Sequence, residues 1–332
     1  MKYNILAYKN INRAEWSAFV RNHPQGNVFQ TPEMYDVNAL SNHVCPIAVA
    51  AVEGNQIVGI LLAQYITNGN AFTSWFTARS IITGGPLAKE NNPEIVKALF
   101  EAYKKLVPVQ TIYSEIRPIY EMEWMNGLGW KRKGHYNLVL GLNKTADELF
   151  DQMHKERRRN VNQAIKAGLL FREVTSEDDI HAIVALIKQT YERKHVPISY
   201  LDMFSKVHRL MGEYAHFFAC YTPDGTMIAG EVRLCYKDLV YAWFAGSDEN
   251  YFKLRPNDFT MWNVIRWAAE QGYKFLDFGG GGEPGVPYGV RDYKLKYGCN
   301  MYDYGRYTYA HRPLVLWMGT IAYKLYHKLK GK

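Results

Sequence analysis

Two stretches of this chain read alike: AVEGNQIVGILLAQY around Gly59 and YTPDGTMIAGEVRLCY around Gly230. In each, a strand reaches a polar turn (Gly54-Asn55; Asp224-Gly225), returns through Ile-x-Gly, and meets a tyrosine six residues after the glycine. Glycine-asparagine and aspartate-glycine turns between apolar runs are hairpin signals. Each hairpin is followed by a helical pattern and a further strand: Glu94–Leu106 then Thr111–Arg117, and Phe259–Gln271 then Lys274–Phe278. A doubled unit of this kind restricts the chain to two mixed α/β layers in tandem, an α/β (α+β) class with mixed sheets. The 332 residues suit two domains of ordinary size.

The boundary is expected near Gly141–Lys144, after a strand at Tyr136–Leu140. Thr145 with Glu148 three residues on forms a capping box, opening a helix that runs from Ala146 to Ala167 and stops at Gly168. The expected organisation is therefore 1–143, 144–310, and a basic amphipathic helix over 311–332. Hydrophobic content of 48% is enough for full cores. The four cysteines (Cys45, Cys220, Cys235, Cys299) are widely spaced without a CxxC pair, which implies neither a zinc site nor a disulfide framework. A cytoplasmic location is the simplest expectation, because no signal-like stretch or membrane-spanning run is present.

The net charge of +8 is uneven. From Ala310 onward stand Arg312, Lys324, Lys328, Lys330 and Lys332 with no acid, while Leu314, Trp317, Ile321, Leu325 and Leu329 recur at helical spacing. Such a helix either docks its stripe on its own domain, the more common use of that pattern, or lies on an anionic membrane surface. One helix can do both.

The chemistry concentrates in FLDFGGGGEPGVPYGVRDYKLKYG, residues 275–298. Phe275–Phe278 reads as a buried strand that Gly279–Gly282 terminate. Tyr293, Leu295 and Tyr297 alternate with Lys294 and Lys296, which predicts a second strand with both lysines on one face. Glycines admit a ligand close to the backbone and expose amides to negative charge. The segment resembles the end of the catalytic half of the FemA/FemB/FemX peptidyltransferases, a branch of the GNAT acyltransferases. The matching residues are Asp277-Phe278-Gly279-Gly280, Tyr293-Lys294 and Tyr297-Gly298. The doubled architecture is likewise how that family is built, and this chain resembles its compact members, lacking the helical arm that some of them insert.

A second match lies in Lys155–Gly168. Anchored on Ala164 and Gly168, it places the family's arginine at Arg158 and its asparagine at Asn160, with Arg159 where a tyrosine is usual. An arginine fork suits phosphate oxygens, and the resemblance implies that Arg158 contacts a diphosphate. The alternative for this run is a solvated basic helix face. The family's second phosphate contact, a lysine, has no counterpart: Asn38 stands near its place, and no lysine occurs between Lys9 and Lys89. Thr83–Leu87 reads as a scaffold turn. Arg255-Pro256-Asn257 occupies the place of the glycine-rich pyrophosphate loop of CoA-dependent relatives, and a proline there removes an amide donor.

The resemblance implies an N-acyltransferase that takes aminoacyl-tRNA as donor and a nucleotide- or lipid-linked peptidoglycan precursor as acceptor; no cofactor is expected, and the basic C-terminal helix is the candidate for peripheral contact at the inner membrane face. Lys294 is the first candidate to stabilise the oxyanion and Lys296 the second. Gly279, Gly280, Tyr293, Arg158 and Asn160 are expected at the substrate. Tyr236, Tyr241 and Tyr288 are candidates for an acceptor tunnel. Asp277, Glu231 or water is left as the base. Two alternatives stand beside this reading: an N-acyltransferase using acyl-CoA or acyl carrier protein on a small amine, amino sugar or lipid headgroup, and a non-enzymatic tandem scaffold or nucleic-acid-binding module.

Overall fold

The computed structural model describes residues 3–67, 71–196, 198 and 200–329. From the N-terminus run β1 (Asn4–Ala7), α1 (Arg13–Asn22), α2 (Pro32–Leu40), β2 (Val44–Glu53), β3 (Gln56–Ile66), α3 (Ala71–Thr77), β4 (Arg79–Thr83), β5 (Leu87–Ala88), α4 (Pro93–Leu106), β6 (Tyr113–Arg117) and β7 (Lys131–Lys133). There follow β8 (Tyr136–Gly141), α5 (Ala146–Asp151), α6 (Lys155–Lys166), β9 (Leu170–Glu173), α7 (Glu177–Arg193), α8 (Met203–Leu210), β10 (Ala215–Tyr221), β11 (Met227–Tyr236), β12 (Leu239–Ser247), α9 (Pro256–Glu270), β13 (Phe275–Gly280), α10 (Gly289–Leu295) and β14 (Asn300–Asp303). The chain closes with β15 (Arg306–Ala310) and α11 (Pro313–Leu329).

Two compact units result: Met1–Lys133 with Gly305–Lys332, and Gly134–Tyr304. The first holds a sheet in the order β1-β2-β3-β4-β6-β15-β7, with β5 added beside β3. The second holds β14-β8-β13-β12-β11-β10-β9. In each, an otherwise antiparallel sheet contains one parallel pair, β4 with β6 and β12 with β13, and the connection between its strands carries α4 or α9. A parallel pair requires such a crossover. The doubling read from the sequence is therefore architectural.

The division differs from the one expected at residues 141–144. Strand β8 pairs with β13 and β14 and so belongs to the second sheet, while β15 pairs with β6 and β7 in the first. Local pattern identifies a strand but not its partner, and the partner decides the unit.

The repeated Ile-x-Gly has a packing cause. A Cβ on Gly59 would lie 2.5 Å from the Ile95 side chain of α4, and one on Gly230 would lie 2.6 Å from Ile183 of α7. Each glycine lets a helix lie directly on its sheet. The α4 face of Ile95, Val96, Leu99, Phe100 and Tyr103 is buried there, and each such side chain stabilises by about 1.5–3 kcal/mol. In the second unit α9 is buried on most sides, through Phe259, Met261, Trp262, Val264, Ile265 and Ala268.

The helix expected over 146–167 is broken in two. His154 caps α6 by accepting the Glu156 amide on Nδ1, and its own N–H donates to the Lys296 carbonyl at 2.8 Å. A tertiary partner thus takes the backbone out of the helix. The C-terminal helix forms, but Leu314, Trp317 and Ile321 are exposed rather than docked. The side chains of Lys324, Leu325, Lys328 and Leu329, and the whole of Lys330 and Lys332, lie outside the described residues. Among the described residues no helix is long and apolar enough to cross a membrane.

Candidate active site

Strands β12 and β13 pair in register only at Leu239–Phe275, Val240–Leu276 and Tyr241–Asp277. Both continue beyond, to Ser247 and Gly280, so the sheet opens as a wedge toward their C-terminal ends. Ligand sites in parallel sheets form where strands part in this way. Asp277 sits at the fork, fully buried. Its Oδ1 accepts the Gly279 amide at 2.6 Å and its Oδ2 the Asn137 side chain at 3.1 Å. Burial pushes its carboxyl up to about 6, opposed by these hydrogen bonds and by Lys294. Gly279 adopts φ +74°, a left-handed backbone that suits only glycine well. A Cβ on Gly281 would lie 2.4 Å from the Leu138 side chain, so the loop presses directly on β8.

The segment expected as a returning strand is instead helix α10. Tyr293 in α10 and Tyr297 in the turn just after it stand four apart, with their hydroxyls 2.8 Å from one another. The two lysines consequently diverge. Lys294 is half-buried and donates from Nζ to the Gly280 carbonyl at 2.8 Å, at the mouth of the wedge. Burial brings its pKa down to about 8, while Asp277 and Cys299 act to hold it up and Arg233 adds to the depression. Lys296 points elsewhere and pairs with Glu156 at 2.6 Å, holding that carboxyl down at about 2. The structure therefore gathers Lys294, Asp277, Gly279 and Gly280 and leaves Lys296 as a clamp between α10 and α6.

A hub that the sequence patterns do not reveal lies behind α10. Asp258, buried in the first turn of α9, accepts hydrogen bonds from Arg157 at 2.5 Å, from Asn160 at 2.8 Å and from the Tyr297 hydroxyl at 2.8 Å. The Arg157 guanidinium also lies 4.9 Å over the Tyr293 ring. Asn160, expected at the substrate, is thus buried and spent on scaffold. Tyr293 presents its ring to Arg157 and its hydroxyl to Tyr297. Burial drives both phenols far above their usual range, so they serve as neutral hydrogen-bonding groups. The Tyr-x-x-x-Tyr spacing was the available signal, since it suits a helix as well as the alternation suits a strand.

The three adjacent arginines separate as helical geometry demands. Arg157 turns inward, while Arg158 and Arg159 line an open groove of about 650 Å³ with Lys155, Lys166 and Phe150. Arg158 holds only an exposed pair with Asp151 at 3.1 Å, a contact worth less than about 1 kcal/mol, so its fork is readily diverted to an anion. Tyr236 is at the wrong end: it pairs with Leu239, which pairs with Phe275, the first residue of β13. Tyr241 and Tyr288 do lie at the loop, since Cβ atoms on Gly279 and Gly282 would come within 3.5 Å and 3.0 Å of them. Glu231 is buried against Arg233 in a close ion pair and is not exposed to a substrate. Asn38 is also buried and accepts from Gln64 at 2.8 Å. Among the described residues no cluster fit for a metal ion occurs.

Residues 151–295 match the family model described as an acetyltransferase (GNAT) domain. The lipid II:glycine glycyltransferase of Staphylococcus epidermidis is 24% identical over 226 residues, covering 61% of this chain and 52% of that protein. The aminoacyltransferase FemA of Staphylococcus aureus is 21% identical over 221 residues, covering 57% and 51%. This chain thus spans about half the length of these curated relatives. The crystal structure of FemX superposes with a TM-score of 0.73 over 95% of this chain and 100% of that one, at 16% identity, which speaks to fold. The tandem arrangement and these likenesses agree: residues 151–295 match a GNAT acetyltransferase domain, and the chain is similar in sequence to Fem-type aminoacyltransferases and in fold to FemX.

Proposed function

We propose that this chain is a Fem-type aminoacyltransferase, moving an aminoacyl group from aminoacyl-tRNA to an amine of a nucleotide- or lipid-linked peptidoglycan precursor. The observation that carries the reading is Lys294, held on the Gly280 carbonyl at 2.8 Å where β12 and β13 part. The acceptor's neutral amine attacks the ester carbonyl of the donor, a C–N bond forms, and the ester C–O bond breaks. The ribose hydroxyl leaves with a proton, and the former ammonium proton passes to water or to a nearby base. Negative charge develops on the carbonyl oxygen in between. A lysine with pKa of about 8 is about 90% protonated at pH 7, and a fixed cation at that oxygen is the strongest stabilisation the site can supply. The glycine loop lets the ester approach the backbone, and the Arg158 groove accepts the precursor's phosphates. The activities of the relatives, lipid II:glycine glycyltransferase and aminoacyltransferase, support the same class. We further read the basic C-terminal helix as a peripheral contact with the inner membrane face.

Pro256 at the start of α9 and the Asp258 carboxylate in its first turn weigh against a CoA diphosphate at that helix end. One observation favours the second reading, transfer from acyl-CoA or a carrier protein to a smaller amine: Asn38 is buried and neutral where the family's lysine would grip phosphate. The test offers charged bulk tRNA and acyl-CoAs, each labelled in the acyl part, with precursor and lipid extracts. Label passing from tRNA to precursor, and falling about 10²–10³-fold in Lys294→Ala, supports the proposal. Label passing only from acyl-CoA replaces the donor, and full activity in Lys294→Ala refutes the role of that lysine.

A further inference from the structure

The first unit carries an aromatic surface that its own core does not use. On α3, Phe72 is 74% exposed, Phe76 60% and Trp75 40%. On α11, Leu314 is 76% exposed and Trp317 64%, on the same helical stripe as Ile321. The two helices are tied together. Arg312, just before α11, donates to the Trp75 carbonyl at 2.7 Å and to the Gln110 carbonyl at 3.4 Å, and its guanidinium lies 5.0 Å over the Trp75 ring. Val109, beside that second carbonyl, is 73% exposed. Arg79 acts at the same C-terminal end of α3 by donating to the Thr77 carbonyl at 3.3 Å.

Charge decides what covers this surface. No acidic residue occurs between Glu53 and Glu90, nor after Asp303, and the cations at α3 are Arg79 and Arg312. A protein partner would be matched by side chains of both signs, whereas two helices that expose aromatics and themselves carry no acid, α3 and α11, suit the headgroup layer of an anionic bilayer. We propose that α3 and the first turns of α11 form one membrane-docking face, with Phe72, Phe76 and Trp317 entering the interface of an anionic lipid leaflet and the arginines pairing with lipid phosphates. This inference deepens the peripheral contact proposed above and rests on it. It adds α3, some 240 residues earlier in the chain, as the deeper-inserting half.

The test is co-sedimentation of the full chain with phosphatidylglycerol/phosphatidylcholine vesicles and with phosphatidylcholine vesicles alone. The wild type is expected to bind the anionic vesicles preferentially. The double variant Phe72→Ser/Phe76→Ser is expected to lose about tenfold or more in partitioning, with transfer to a water-soluble acceptor unchanged. Trp317→Ser, on the other helix, gives the same loss independently if the double variant is unstable. Wild-type binding retained in these variants overturns the inference and leaves the lysine-based contact standing. Failure of the wild type to bind anionic vesicles overturns both, without touching the proposed transfer reaction. A wild-type dimer that Phe76→Ser converts to monomer would make the face a self-interface and also overturn the inference.

Discussion

Replacing Asp277 by Asn tests the electrostatic design of the wedge. Asp277 is buried, and its charge is the one that holds the Lys294 pKa up in this pH range against the desolvation that brings it down to about 8, since burial pushes the Cys299 thiol up to about 12. An opposite charge close by is worth about 1–3 pKa units, so Asp277→Asn is expected to move Lys294 from about 8 to about 7 or below. If the protonated lysine is the active form, turnover falls as pH rises through that value. At pH 8 the protonated fraction drops from about one half to about one tenth, a fivefold loss in kcat/KM. At pH 6 the two enzymes are nearly equal. The assay is kcat/KM against pH with one soluble acceptor, so that the acceptor's own titration cancels in the ratio. An alkaline limb that stays at the wild-type position refutes the reasoning. A uniform loss at every pH refutes it differently, by making Asp277 the base.

Three other outcomes follow from the same geometry. Arg158→Ala raises KM for a phosphate-bearing acceptor about tenfold while kcat holds; steady-state kinetics with and without the phosphate check it. Asp258→Ala strips Arg157 of its buried partner and costs about 3–5 kcal/mol in urea denaturation, whereas Arg158→Ala costs almost nothing. In stability, the depressed pKa of Lys294 means that its contribution is complete above the unfolded value of 10.5 and is lost as pH falls through about 8. The wild type therefore gains on Lys294→Met in denaturation midpoint between those two pH values, and a flat difference would show that the lysine is not desolvated.

The parts of the site legible in the sequence were those set by short-range chemistry. Asp277-Phe278-Gly279-Gly280 spelled a strand stopped by glycines, and the structure finds that strand, that turn and a buried aspartate. Lys294 was singled out beside the loop, and its ammonium reaches Gly280. Its supporting element was misread because Tyr-Lys-Leu-Lys-Tyr satisfies a period of two and a spacing of four equally well. The hydrogen bonds that favour the helix, Tyr297 to Asp258 and Tyr293 to Tyr297, join the turn just after α10 to another helix and back to α10. Asn160, expected at the substrate, and Lys296, the second candidate for the oxyanion, have partners within the fold, Asp258 and Glu156, for a related reason: a polar residue near a site looks the same in sequence whether it faces a ligand or a neighbour.

By itself the sequence determined the doubled architecture, because Ile-x-Gly hairpins and crossover helices are local patterns repeated in the same order within each half. It also determined the presence of a basic, acid-poor terminus and a glycine loop with a lysine nearby. Only tertiary structure decided which sheet β8 and β15 complete, since strand pairing is a long-range choice among equivalent edges. It alone decided which of three consecutive arginines is buried, because successive residues on a helix point about 100° apart and only the packing of α9 says which direction is inward. And it alone set the lysine's pKa, which follows from desolvation and the charges brought around it, quantities that exist only once distant segments have met.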